Sequence, residues 1–195
     1  MNYHQQKTLE VLKQGGVIGY PTDTTFGIGC DITNEAAIHR IQELKQRDLG
    51  KAMSIACSDM EMAYSYADFH GLPQKFLDDI FPGPVTLILP KTELVSEIVT
   101  AGSKKVGVRI PYRQDILAII KALGHPIITT SANLSGGTDP VSSDEIELEV
   151  DFVYPGECSI KKPSTVIDIE TKKIVREGVR SDYYKELLSG LLDHK

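Results

Sequence analysis

The sequence is poor in the features that would settle its class at once. It has only three cysteines, Cys30, Cys57 and Cys158, and no CxxC pair. An odd, scattered set argues against a disulfide framework and for a reducing compartment, the cytoplasm. No apolar run approaches the roughly 18 residues that a membrane-spanning helix needs. The N-terminus, MNYHQQKTLE, lacks an apolar signal core, so secretion is not expected. Basic residues are in deficit: 21 Lys and Arg against 27 Asp and Glu leave a formal net charge of −6. That is a poor footprint for a nonspecific nucleic-acid binder, although it leaves room for one local basic cleft. Five dispersed histidines form no HExxH motif and no His/Cys cluster, so no structural metal is expected. The usual nucleotide signatures are missing as well. There is no GxxxxGKS/T loop, and Gly27-Ile28-Gly29 lacks the third glycine of a dinucleotide fingerprint. No GxSxG nucleophile elbow occurs.

What is present describes an ordinary domain. The 195 residues, 41% hydrophobic and 25% charged, suffice for one sizeable core. Residues 4–14 read as an amphipathic helix stopped by Gly15-Gly16, and 16–20 as a strand. Asn34 can cap a helix to about Lys45, with Ala37, Ile38, Ile41 and Leu44 on one face. Residues 52–57 read as a strand, Asp59 as the start of a helix, and Pro73 as the first turn of another through about Ile80. Strands are expected at Val85–Leu89, Lys105–Ile110 and Pro126–Thr130, with a helix from Gln114 to Leu123 closed by Gly124. Ser164–Ile169 and Ile174–Arg176 read as a strand pair, and Ser181 as the cap of a last helix, about 182–192. Interleaved strands and helices make the class α/β, with a mixed, twisted sheet and polar segments at strand ends, where ligands bind in open α/β sheets. No repeat or linker divides the chain, so residues 1–195 are expected to form a single domain.

Four polar segments stand out. In PTDT, Pro21 to Thr24, the hydroxyls can bond a small polar ligand, or simply cap a turn. LKQRDLGK carries Lys45, Arg47 and Lys51, which could clamp a polyphosphate or complement a helix C-terminus in water. TTSAN, Thr129 to Asn133, follows an apolar strand and could hold phosphate or ribose oxygens, or form a strand-ending turn. In VRIP, Arg109 ends a strand and Pro111 stops it; such an Arg can grip a carboxylate by two bonds, or lie on the surface. Arg176 in VREG has the same standing.

In order along the chain, GGVIGYPTDTTFGIG, the Lys45/Arg47/Lys51 cluster, PGPVTLILP, VGVRIP, TTSANLSGG, PSTVID and VREG resemble the YrdC/Sua5 family over about residues 8 to 178. The resemblance implies a single YrdC-like domain, a twisted sheet around a basic concave cleft. It implies L-threonylcarbamoyladenylate synthase activity. L-threonine, bicarbonate or CO2, and ATP (with Mg2+) become threonylcarbamoyl-AMP and pyrophosphate. The product then passes to threonylcarbamoyl transferase machinery for the t6A modification of tRNA. The length resembles the short form of the family, with no room for the C-terminal domain of the long form. By family position, Thr24, Arg109, Thr129 and Ser164 are expected to bind threonine. Lys45, Arg47 and Lys51 are expected to hold ATP phosphates and carry the catalysis, with Ser131, Asn133 and Arg176 as further ATP contacts. Some positions depart from the family pattern. Asp48 stands for a proline, Ala52-Met53 for Pro-Leu, Thr25-Phe26 for Val-Tyr, and Ala56 where the long form has a threonine-touching histidine. VREG and CSDMEMAYSYADF resemble the YciO branch. A YciO-like paralogue, or a double-stranded RNA or tRNA binder using the same cleft without catalysis, is therefore the alternative.

Overall fold

The computed structural model describes residues 1–46, 50–134 and 136–191. Its first helix, α1 (Tyr3–Lys13), begins with a capping box: Asn2 accepts from the Gln5 N–H while Gln5 accepts from the Asn2 N–H. Strand β1 (Ile18–Tyr20) follows, then β2 (Gly27–Gly29), paired antiparallel with Ile18 opposite Gly29. The sequence reading placed no strand at 27–29. Gly29 explains why one can form there: a Cβ at this position would lie 2.2 Å from the Ile128 carbonyl oxygen. Only glycine lets the next strand approach so closely.

Helix α2 (Glu35–Leu44) starts at Asn34, whose side chain accepts from the Ala37 N–H, and buries Ala37, Ile38 and Ile41. After β3 (Ser54–Ala56) come α3 (Met60–Tyr66), capped by Asp59, and α4 (Gln74–Ile80). Pro73 stands at the N-cap of α4, one place before its expected position in the first turn. Next come β4 (Val85–Pro90), the short α5 (Glu97–Thr100), β5 (Lys105–Arg109) and α6 (Gln114–Leu123). Strands β6 (Ile127–Ser131), β7 (Phe152–Val153), β8 (Thr165–Asp168) and β9 (Lys173–Arg176) precede α7 (Ser181–Gly190). Ser181 is the first residue of α7 and not its cap. Arg180 caps the helix in a left-handed conformation, while the Ser181 hydroxyl bonds the N–H and carbonyl of Gly178.

The nine strands form one mixed sheet in the order β7-β1-β2-β6-β3-β5-β4-β8-β9. The class is α/β, with helices against a twisted sheet, as expected. Two apolar clusters cover its two faces. Ile28, Ile55, Leu87, Val108, Ile128 and Ile167 point to one side, into the larger core under α2, α4 and α7. On the other side Ile18, Tyr20, Ala56 and Ile127 meet Val11 and Leu12 of α1 and Ile116, Ile119 and Ile120 of α6. Each of the Ile, Leu and Val side chains contributes about 1.5–3 kcal/mol on burial. These two helices cover only part of that second face, and the remainder is open. Among the described residues, no helix is long and apolar enough to cross a membrane.

Candidate functional site

Register decides what lines the open part of the sheet. Directly paired residues share a face, and residues two apart along a strand do too. Gly27 of β2 pairs with Ser131 of β6, and Thr129 of β6 with Ser54 of β3. Ser54 pairs with Gly107 of β5, Thr86 of β4 pairs with Val166 of β8, and Val166 with Arg176 of β9. A row of small, hydroxyl-bearing and basic side chains therefore crosses the sheet beside the apolar patch that α1 and α6 cover. It forms the floor of a cleft of about 230 Å3, whose walls include Arg109, Asp139 and Ser164. Gly107 keeps this floor low. A Cβ there would sit 2.3 Å from Ser54 Oγ and 3.2 Å from Thr86 Cγ2.

Of the residues singled out in the sequence, Arg109, Thr129, Ser131, Ser164 and Arg176 meet in this cleft. Arg176 donates from Nη2 to the Ser164 hydroxyl and to the Ser164 carbonyl, both at 2.9 Å, and Ser164 Oγ lies 3.2 Å from Thr86 Oγ1. Burial lowers the pKa of the Arg176 guanidinium from its ordinary value, and Asp139 opposes that shift. Arg109 is 7% exposed and donates from Nη2 to Asp23 Oδ1 (2.5 Å), Thr24 Oγ1 (2.6 Å) and Thr22 Oγ1 (3.2 Å). Its Nη1 makes no protein hydrogen bond among the described residues. Tyr20 donates to Thr129 Oγ1 at 2.7 Å, and burial raises the phenol pKa to about 12, so that donor stays protonated.

Four expected residues sit elsewhere. Thr24 is wholly buried behind Arg109, and its hydroxyl is spent on Arg109 and Thr22. Lys45, expected to face phosphates, is 1% exposed. Its Nζ donates to the Ser131 carbonyl, the Asn133 carbonyl (2.6 Å) and Asn133 Oδ1 (3.2 Å). It lies at the C-cap of α2, where its stem carries the ammonium under the turn after β6. Asn133 accepts from the Ser131 hydroxyl at 2.6 Å and donates to the Gly137 carbonyl, so it braces that turn and lines an adjoining pocket of about 460 Å3. Lys51 is exposed, next to the cleft-lining Ala52. Arg47 lies outside the described residues.

Sequence reasoning assigned no role to Tyr20, Asp23, Ser54, Thr86, Gly107 or Asp139, and pointed to Thr22 only as one of the PTDT hydroxyls. Alternation carried a usable signal for three of them. Ser54, Thr86 and Gly107 are small residues flanked by apolar ones at strand positions. The cysteines take no part: burial pushes the Cys30 thiol up to about 12 and the Cys57 thiol higher still, so both stay protonated.

Comparison with known proteins places this geometry. The Sua5_yciO_yrdC family model, described as telomere recombination, matches residues 10–178. A threonylcarbamoyl-AMP synthase of Vibrio campbellii is 34% identical over 181 residues, which is 89% of this chain and 98% of that one. The crystal structure of P. abyssi Sua5 complexed with L-threonine superposes with a TM-score of 0.86 at 28% identity, covering 94% of this chain and 56% of that one. This chain thus spans little more than half of that protein. The E. coli YciO structure gives a TM-score of 0.77 at 32% identity, covering 90% and 89%.

Proposed function

The chain belongs to the Sua5/YciO/YrdC family, and on that footing we propose that it is a threonylcarbamoyl-AMP synthase, a nucleotidyltransferase serving t6A modification of tRNA. The observation that carries this reading is the division of Arg109. One nitrogen of its fork is held by Thr22, Asp23 and Thr24, and Nη1 has no protein partner among the described residues, while Arg109 lines the cleft. A planar carboxylate is the natural occupant of the free end. The carboxylate of L-threonine takes that place in this reading, and its hydroxyl meets Thr129 and Ser164. Thr24 acts through Arg109.

ATP then lies toward Ser131 and Arg176. Lys45 holds the Ser131–Asn133 turn in shape from behind, and the exposed Lys51, next to the cleft-lining Ala52, brings charge to the rim. The threonine amine adds to CO2, and an oxygen of the resulting carbamate attacks the α-phosphorus as pyrophosphate leaves. Negative charge moves onto the leaving group, so fixed cations and donors supply most of the acceleration. Mg2+ bound to the ATP phosphates would offset part of their charge. Among the described residues no group of three His, Cys, Asp or Glu could hold a metal, and Asp139 is the carboxylate on the cleft wall available to it.

The test is pyrophosphate release from ATP. Release that requires both L-threonine and bicarbonate supports the proposal, and none with all three substrates present refutes it. The likeness to YciO favours one second reading, a paralogue that binds ATP without this synthesis. ATP binding unaffected by threonine would be its signature.

A further inference from the structure

Behind the cleft wall lies a buried ion pair that is only half joined. Asp23 is 3% exposed, and its carboxylate meets Arg109 at one point, Oδ1 on Nη2. That nitrogen carries two hydrogens but serves three acceptors, since the Thr22 and Thr24 hydroxyls share it. Meanwhile Asp23 Oδ2 and Arg109 Nε, both buried, have no partner among the described residues. Buried polar atoms are rarely left so, because each forgoes the hydrogen bonds it had in water. Nε and Nη2 lie on the same edge of the planar guanidinium. A carboxylate that already touches Nη2 needs only a small turn of either side chain to engage both. The Asp23 backbone is fixed meanwhile, its carbonyl accepting from the Ile160 N–H at 3.0 Å and from Ser159 Oγ at 3.3 Å.

We propose that Asp23 is a positioning residue for substrate threonine. It holds the Nε/Nη2 edge of Arg109, passing from one-point to two-point pairing as the threonine carboxylate engages Nη1. Two-point pairing gives both orphaned atoms a partner. It also fixes the plane of the fork, so that the free end is presented at one angle. The inference rests on the reading of Arg109 as the carboxylate site.

Asp23→Asn separates the two pairing modes, because the amide keeps one acceptor for Nη2 but offers Nε a donor in place of the second. The expected result is a threonine KM raised about tenfold or more, with the KM for ATP within about twofold. A purely structural role would lower the melting temperature and leave the threonine KM of the folded protein alone. In unaltered protein, 15N-labelled on arginine, threonine should slow the exchange of the Arg109 Nε proton with water. This second measurement stands even if Asp23→Asn does not fold. A normal threonine KM in Asp23→Asn, or an Nε proton that exchanges equally fast with and without threonine, overturns the inference alone. A wild-type protein that releases no threonine-dependent pyrophosphate overturns the proposed function, and this inference with it.

Discussion

Replacing Lys45 with methionine tests whether this lysine is a phosphate ligand or a brace. Methionine keeps most of the apolar stem and removes the ammonium. What is lost is the donor to the Ser131 and Asn133 carbonyls and to Asn133 Oδ1. A hydrogen bond to a charged group contributes about 1.5–3 kcal/mol; three such bonds are lost, and about half of their sum returns because the buried ammonium no longer has to be stripped of water. The expected loss of stability is therefore about 2–4 kcal/mol. For a chain of this size each kcal/mol moves the melting temperature by roughly 2–4 °C, which gives a fall of roughly 5–15 °C. Saturating ATP should recover little of it, because the variant disturbs the turn that carries Ser131. Melting by circular dichroism and ATP binding by calorimetry, on one preparation, are the measurements. An unchanged melting temperature together with abolished ATP binding would refute the reasoning and return Lys45 to the phosphates.

Gly107→Ala drives a methyl group against Ser54 Oγ and Thr86 Cγ2, so denaturant unfolding should show a loss of about 1–3 kcal/mol and turnover should fall with it. Tyr20→Phe removes the buried donor to Thr129, at a cost of about 1 kcal/mol. Because the phenol titrates only near 12, that cost should be the same at pH 6 and pH 9, which parallel melts would check. Asp59→Ala removes the cap on the Met62 N–H and should cost about 1 kcal/mol, less if the 37% exposure of the carboxylate weakens the bond. That bond is the main reason the Asp59 pKa is lowered. Its contribution is therefore complete above the ordinary aspartate value of about 3.9 and fades as pH falls through the lower folded value, so wild type and variant should converge in acid.

How legible the fold was depended on whether a signal was local. Helices α2 and α6 were legible because periodicity and a terminal residue agreed, Asn34 at one start and Gly124 at the other end. Strand β2 was not. Gly-Ile-Gly has poor strand propensity, and its reason for existing is the close approach to Ile128, a residue about a hundred positions away. Strand β7 has two residues and α5 has four, too short for any period to show. The site divides in the same way. An Arg followed by Ile-Pro at a strand end was readable as held in place. The direction of Lys45 was not, since a cation at a helix end faces water or the interior according to what folds over it.

The hydroxyl-rich segments illustrate the limit most clearly. From sequence, the strand is expected to run from Pro126 to Thr130, with TTSAN either holding a ligand or ending the strand in a turn. The structure carries β6 through Ser131, still paired with Gly27 of β2. What changes at Thr129 is the cover, not the conformation. Ile127 lies under α6, and Thr129, on the same face two residues later, lies in the open cleft. Strand β3 makes the same passage in reverse, with Ser54 in the cleft and Ala56 beneath the helices. A cleft floor built this way inherits the rigidity of the sheet, because its hydroxyls sit on paired backbone and not on a loop. Discrimination of one small hydroxy amino acid from a near-isostere requires donors whose positions do not adapt to the wrong ligand. If the floor provides this, 2-aminobutyrate, which matches threonine in size but lacks its hydroxyl, should be turned over far less efficiently than threonine. Comparable kcat/KM values for the two would show that the hydroxyls of Thr129 and Ser164 do not read the substrate side chain.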